Sequence, residues 1–285
     1  MTKLWLLALA GVGCAAGSNA PTGPSVLALG DSIAFGYNPA TDKNDPSTFV
    51  SYGQLFAEAS HRDIVNMACG GETSGSLISR SAPDNGCHDW RSKHPLHFDY
   101  AAERPEDDPT VVAQIEVATA WLRDDSHPPP DVITLDIGGN DLLLFSKQCP
   151  DGDSACLQGK IPELIGTVLP KAQHNVEATF GLIRSSGYTG KIVLVTTYAL
   201  DYQDQIATFA IDDLNKLLAQ SAAGFDVQVA DGYGAFKAAA AGGSACAAGL
   251  LYPKPDGTCD IHPSVPKGAQ VLADAVAAAA GFSAQ

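Results

Sequence analysis

Val26-Leu27-Ala28-Leu29-Gly30-Asp31-Ser32-Ile33-Ala34-Phe35-Gly36-Tyr37 decides the fold. Its first four residues form a short, unbroken apolar run, which reads as a buried strand. Gly30 ends the run, and Ser32 follows two residues later. A serine just past the carboxyl end of a parallel strand lies where open α/β sheets bind ligands. Gly-Asp-Ser alone reads more readily as a turn carrying an exposed serine. The remainder of the chain decides between the two.

Working outward, strands alternate with helices. Residues 51–60 read as a helix with Tyr52, Leu55, Phe56 and Ala59 on one face, and Asp63 to Met67 as a second strand. Residues 110–124 form a helix stopped by Pro128-Pro129-Pro130, and residues 131–137 a third strand ending in Gly138-Gly139-Asn140-Asp141. A long helix follows over 162–185, then a strand over 191–196, a helix over 205–222, a strand over 226–230 and a last helix over 268–280. Such alternation implies parallel pairing with right-handed crossovers, hence a three-layer α/β/α domain around a five-stranded sheet. No linker divides residues 21–285. Residues 80–108, polar and irregular, read as an insertion over the sheet edge. Its Trp90, Phe98 and Tyr100 are candidates to line an acyl pocket.

Composition narrows the function classes. The formal charge is -15, with 17 Lys and Arg against 32 Asp and Glu. Such a surface repels phosphate backbones, which argues against nucleic acid as a partner. Residues 1–20 read as an export signal: Lys3 precedes the apolar run Leu4 to Ala10, too short to span a bilayer, and Ser18-Asn19-Ala20 has a cleavage pattern. Val12-Gly13-Cys14-Ala15 offers a second reading, a lipoprotein signal with Cys14 as the lipid anchor. The expected location is secreted, periplasmic or lipid-anchored at the cell surface, and a monomer is expected.

Setting Cys14 aside leaves Cys69, Cys87, Cys149, Cys156, Cys246 and Cys259. An even number in an exported chain reads as disulfides. Of the fifteen pairings six cysteines allow, the sequential one closes three local loops and is preferred. A zinc site is the rival, but no Cys-x-x-Cys is present. His88, His94 and His97 fit no metal-ligand spacing either, so no metal or cofactor is expected.

Three loops leave the carboxyl ends of expected strands and bring Ser32, Gly71 and Asn140 to one sheet edge. His262, in Asp260-Ile261-His262-Pro263, precedes the last helix. Serine, histidine and a neighbouring acid are the parts of nucleophilic acyl transfer: the histidine takes the serine proton and returns it to the leaving group. The developing oxyanion needs donors, and the N–H groups of Ser32 and Gly71 and the Asn140 amide are candidates. No Gly-x-Ser-x-Gly elbow offers another route to a serine hydrolase.

At these residues the chain resembles the SGNH hydrolase superfamily, the GDSL esterases and lipases. Gly30 to Tyr37 is similar to its first block and Asn66-Met67-Ala68-Cys69-Gly70-Gly71-Glu72-Thr73 to its second. Ile137-Gly138-Gly139-Asn140-Asp141 is similar to its third and Asp260-Ile261-His262-Pro263 to its fifth. The blocks stand in the family's order and span residues 26–265. The cysteine placement is similar to the actinobacterial lipase-like branch, whose three disulfides link sequential pairs. The resemblance implies a flavodoxin-like sheet, no metal, and ester hydrolysis through Ser32 and His262. The substrate would be a small-molecule or lipid ester. Acylated or acetylated glycans are an alternative, and a binding protein on the same scaffold is a third reading. The family often places its acid three residues before the histidine, where Cys259 stands here; Asp260 is the candidate, with Asp256 or a backbone carbonyl of the 246–259 loop as rivals.

Overall fold

The computed structural model describes residues 23, 25–103, 112–150 and 153–282. The leader, with Cys14, lies outside the described residues. Five parallel strands run β1 Ser25–Gly30, β2 Asp63–Asn66, β3 Val132–Asp136, β4 Lys191–Val195 and β5 Val227–Ala230, in the order β2-β1-β3-β4-β5. The chain goes from β1 outward to β2, then crosses back to place β3 on the other side of β1. That reversal opens a crevice at the carboxyl ends of β1 and β3, where open α/β sheets take their ligands. Gly30 stands in register with Asp136 across it.

The helices are α1 Ser32–Phe35, α2 Tyr52–Ala59, α3 Ser74–Ile78, α4 Cys87–Arg91, α5 Tyr100–Glu103, α6 Gln114–Leu122 and α7 Gly139–Ser146. They continue as α8 Ser154–Gly159, α9 Ile161–Glu163, α10 Leu169–Ser185, α11 Gln205–Ala223, α12 Gly232–Ala239 and α13 Lys267–Ala280. Successive strand residues point to opposite faces, and the core divides accordingly. Leu27, Leu29, Ile133 and Leu135 pack against Ile115 of α6, Val176 and Phe180 of α10, and Leu214 and Leu218 of α11. Val26, Val132, Val193 and Val195 pack on the other side against Phe56 of α2, Phe236 of α12, and Leu272 and Val276 of α13. Three layers, α/β/α, result.

Local chemistry sets several boundaries. Ser51 and Gln54 cap α2 reciprocally, each side chain taking the other's backbone N–H. The long helix expected over 162–185 is present, but Leu164–Val168 runs in wide π register ahead of α10. Pro170 has no N–H to return to the carbonyl one turn back, and the ladder shifts there. The segment 80–108 is less irregular than its polarity suggests, since it carries α4 and α5. Beyond the expected elements, β6 Leu251–Pro253 and β7 Cys259–Pro263 form an antiparallel pair outside the main sheet. The disulfides are sequential: Cys69–Cys87, Cys149–Cys156 and Cys246–Cys259.

Trp90, Phe98 and Tyr100 do not line a pocket beside Ser32. Trp90 packs among Phe35, Tyr37 and Phe49, and Tyr100 is buried with its hydroxyl on Met67 O at 2.6 Å. Phe98 lies against the α6 side of the core. Aromatic surface in a polar insertion is here used to seat the insertion, not to receive a ligand.

Candidate active site

Gly30 makes the turn out of β1 with φ +127°, and a Cβ there would lie 2.0 Å from Asp136 O. Only glycine permits both the conformation and the approach. Asp31 N donates to Asp136 O at 3.1 Å, and the Asp31 side chain accepts from Ile33 N at 2.9 Å, capping α1. Ser32 is thereby the first residue of α1, at the head of the crevice.

His262 is 8 % exposed, and its Nε2 lies 2.9 Å from Ser32 Oγ. Its Nδ1 meets Asp260 Oδ1, which also accepts the His262 backbone N–H at 3.2 Å. The hydrogen bond from His262, first of all, holds the Asp260 carboxyl below the usual carboxylate range. Tyr37 leans over the imidazole with ring centroids 4.6 Å apart, and Tyr198 OH holds Ile261 O at 2.6 Å. Residues 259–263 are a strand, where positions i and i+2 share a face. A spacing of two therefore suits this acid and histidine. Asp256 instead accepts from the N–H and hydroxyl of Thr258.

The candidate donors converge on Ser32 from two other loops. Gly71 has φ +87°, and a Cβ there would lie 2.6 Å from Asn85 O. Asn140, at the start of α7 and 5 % exposed, donates through Nδ2 to Glu72 O at 2.9 Å and to Asp31 Oδ2 at 3.2 Å. Its amide thus sits between the residue before Ser32 and the residue after Gly71.

Residues that sequence reasoning did not single out hold this arrangement. Asn85 Nδ2 donates to Asn140 Oδ1 at 2.7 Å, and Asn85 N donates to Gly71 O at 2.7 Å. Lys147 Nζ donates to Asn85 Oδ1 at 2.5 Å. A signal existed: Asn85 stands two residues before Cys87, whose bridge to Cys69 brings it to the Gly71 loop. Gln114 clasps the end of β1, accepting Gly30 N at 2.7 Å and donating to Gly30 O at 2.9 Å. The same amide donates to Glu72 at 3.1 Å, and Ser76 Oγ donates to Glu72 at 2.5 Å. Burial pushes Glu72 up to about 7. Burial likewise pushes Asp31 up to about 7, with the charges of Asp141 and Glu72 adding to it. Asp136 is driven well above the usual range by burial and by Asp31.

A cleft of about 380 Å³ opens beside Ser32 and Asn140. Its walls come from α7, from α8 and α9, and from the first turns of α11.

Serine, histidine and aspartate thus lie in series at the reversal point of a three-layer α/β/α sheet, where such sheets take their ligands. The chain belongs to the GDSL-like lipase/acylhydrolase family, whose model matches residues 28–270. It is a carboxylic ester hydrolase of that family. Solved structures share the fold. A GDSL-like protein from Parabacteroides merdae superposes with TM-score 0.54 at 18% identity, covering 93% of this chain and 99% of its own. Axe2, an acetylxylan esterase from Geobacillus stearothermophilus, superposes with TM-score 0.53 at 18% identity, covering 93% of this chain and 98% of its own. Structures described as catalytic mutants of Axe2, changed at a serine, an aspartate and a histidine, are also similar. No curated protein matches this chain.

Proposed function

We propose that this protein is an exported serine esterase or lipase that acts through an acyl-enzyme on Ser32. The observation that carries the reading is the continuous contact from Asp260 through His262 to Ser32 Oγ. His262 Nε2 takes the hydroxyl proton as Oγ attacks the ester carbonyl. Asp260 on Nδ1 fixes the tautomer and steadies the imidazolium. The tetrahedral oxyanion is met by the Ser32 and Gly71 N–H groups and by Asn140 Nδ2. Of the two hydrogen bonds Asn140 Nδ2 donates, the longer one, to Asp31, is the one an oxyanion replaces. Burial favours the neutral form of Asp31, which weakens its hold on that amide. His262 then returns its proton to the departing alcohol, and water repeats the sequence on the acyl-enzyme.

The mutants of Axe2 support these roles by residue type. Three disulfides support export, because such bridges persist in oxidising compartments. Among the described residues no helix is long and apolar enough to cross a membrane. The leader then decides between release and an anchor on Cys14, which the mass of the mature N-terminus distinguishes. Removal of acyl groups from glycans uses the same site and differs in the alcohol.

A fluorophosphonate probe tests the mechanism. The expected result is one adduct on Ser32, lost in Ser32→Ala together with ester hydrolysis. Hydrolysis retained by Ser32→Ala would overturn it.

A further inference from the structure

We propose that Asn85-Gly86 is a site of spontaneous covalent modification that inactivates the enzyme: the Asn85 side chain cyclises onto the next backbone nitrogen and loses ammonia. No other asparagine in the chain precedes glycine. With no side chain on the following residue, the Gly86 nitrogen is unhindered as a nucleophile toward Asn85 Cγ. Both residues are held in place by other needs. Asn85 orients Asn140 and Gly71 through its side-chain amide and its backbone N–H. Gly86 turns with φ +120°, which glycine tolerates. The labile pair therefore follows from the geometry of the site.

The groups that cyclisation needs surround this pair. The Gly86 N–H donates to Asp84 Oδ1 at 2.6 Å, so a carboxylate lies in place to take its proton. His88 Nδ1 holds the other oxygen, Asp84 Oδ2, which fixes that carboxylate. Lys147 Nζ donates to Asn85 Oδ1 at 2.5 Å, where negative charge develops as the amide carbon is attacked. Gly86 is exposed, and nothing lies within 4 Å of where its Cβ would stand, which leaves room for the ring and for water. In the step itself, Gly86 N gives up its proton and bonds to Asn85 Cγ. The Cγ–Nδ2 bond breaks, and the nitrogen leaves as ammonia with that proton, passed through Asp84. Water then opens the succinimide at either carbonyl, leaving aspartate or isoaspartate at position 85. Neither product has the amide that donates to Asn140 Oδ1, and isoaspartate also lengthens the backbone beside the N–H that holds Gly71 O. The loss of activity rests on the proposed oxyanion donors; the cyclisation does not.

Freshly purified enzyme, held at neutral pH over weeks and sampled, tests the proposal. The readouts are peptide masses, labelling of isoaspartate by a protein isoaspartyl methyltransferase, and kcat on a simple ester. Asn85 should deamidate ahead of every other asparagine, and kcat should fall in step with the modified fraction. Asp84→Ser keeps an acceptor for the Gly86 N–H but no base. It should slow the modification at least about tenfold, where a positioned base contributes about 10²–10⁴. Lys147→Met, a change at exposed surface, should slow it as well. Asn85 left intact over that time would overturn the proposal. So would wild-type modification rates in both Asp84→Ser and Lys147→Met, or full kcat in protein modified at position 85. The mass readout needs no substrate, so it decides the chemistry whether or not Ser32 is the nucleophile. Fluorophosphonate labelling of Ser32 in the fresh enzyme is read beside it, so a failure of the catalytic reading shows separately.

Discussion

Asn85 donates its side-chain amide to Asn140 Oδ1 across 2.7 Å, from a segment fifty-five residues earlier in the chain. Its backbone N–H also holds Gly71 O. One residue therefore orients two of the three proposed oxyanion donors, with Lys147 behind it. Asn85→Asp is nearly isosteric, keeps the pairing with Lys147 and cannot donate to Asn140. It should lower kcat at least about tenfold, short of the 10²–10³ lost with a whole oxyanion donor. KM and thermal stability should change little, whereas a packing defect would move stability first. Steady-state kinetics beside a melting curve checks this, and kcat within twofold of wild type would remove Asn85 from the site.

Asp260→Asn keeps the volume and removes the charge. In a Ser-His-Asp arrangement this change costs about 10⁴ in kcat, and a large loss is expected here. Retention of more than about a tenth of wild-type activity, under ~1.4 kcal/mol of barrier, would leave Ser32 and His262 as a dyad. His262→Ala should be at least as damaging.

The buried acids behind the site set a pH dependence of stability. Glu72 and Asp31 are both raised to about 7. Between their ordinary values near ~4 and 7, the folded protein holds protons that the unfolded chain has released. Stability from these groups is therefore full at the acid end and is lost as pH rises through about 7. Asp260 is depressed and works oppositely: its contribution is lost as pH falls through its folded value. Glu72→Gln, which cannot ionise, should flatten the decline between about pH 4 and 7 in urea unfolding. An unchanged slope would mean that Glu72 is ionised in the folded state throughout.

Thiol titration under denaturing conditions should find at most one reactive group, from Cys14 where the leader persists. Two or more would contradict the bridges. Bridge separations are 18 residues for Cys69–Cys87, 13 for Cys246–Cys259 and 7 for Cys149–Cys156. Loop-closure entropy grows with length, so paired Cys→Ser changes should destabilise most at Cys69–Cys87 and least at Cys149–Cys156. That first bridge also holds Asn85 near Gly71, so its removal should lower kcat as well as stability.

Much of the fold was legible because its signals are local. The apolar runs at 26–29, 131–137 and 191–196 can be satisfied only as buried strands, and the helical stripes between them make those strands parallel. Gly30, Ser32, Gly71, Asn140 and His262 fall at the ends of those elements and were visible as a set. The hairpin that carries His262 was not visible, because two strands of three and five residues offer too short a pattern for periodicity. The acyl-pocket expectation for Trp90, Phe98 and Tyr100 failed for a related reason: residue type does not say which side of a loop faces the core.

The sequence by itself determined the alternation of strands and helices and the residues that meet at the crevice, and it left the sequential cysteine pairing as a preference that the structure settled. Tertiary structure decided the rest. Asp260 reaches His262 because residues 259–263 are extended and put alternate side chains on one face. Asn85 reaches Asn140 because a disulfide folds its loop back over the Gly71 turn. The cleft exists because α7, α8 and α11, set far apart in sequence, leave apolar faces turned toward one another. Local pattern encodes which face of an element is apolar; what that face meets depends on packing between distant segments, which no single stretch of chain specifies.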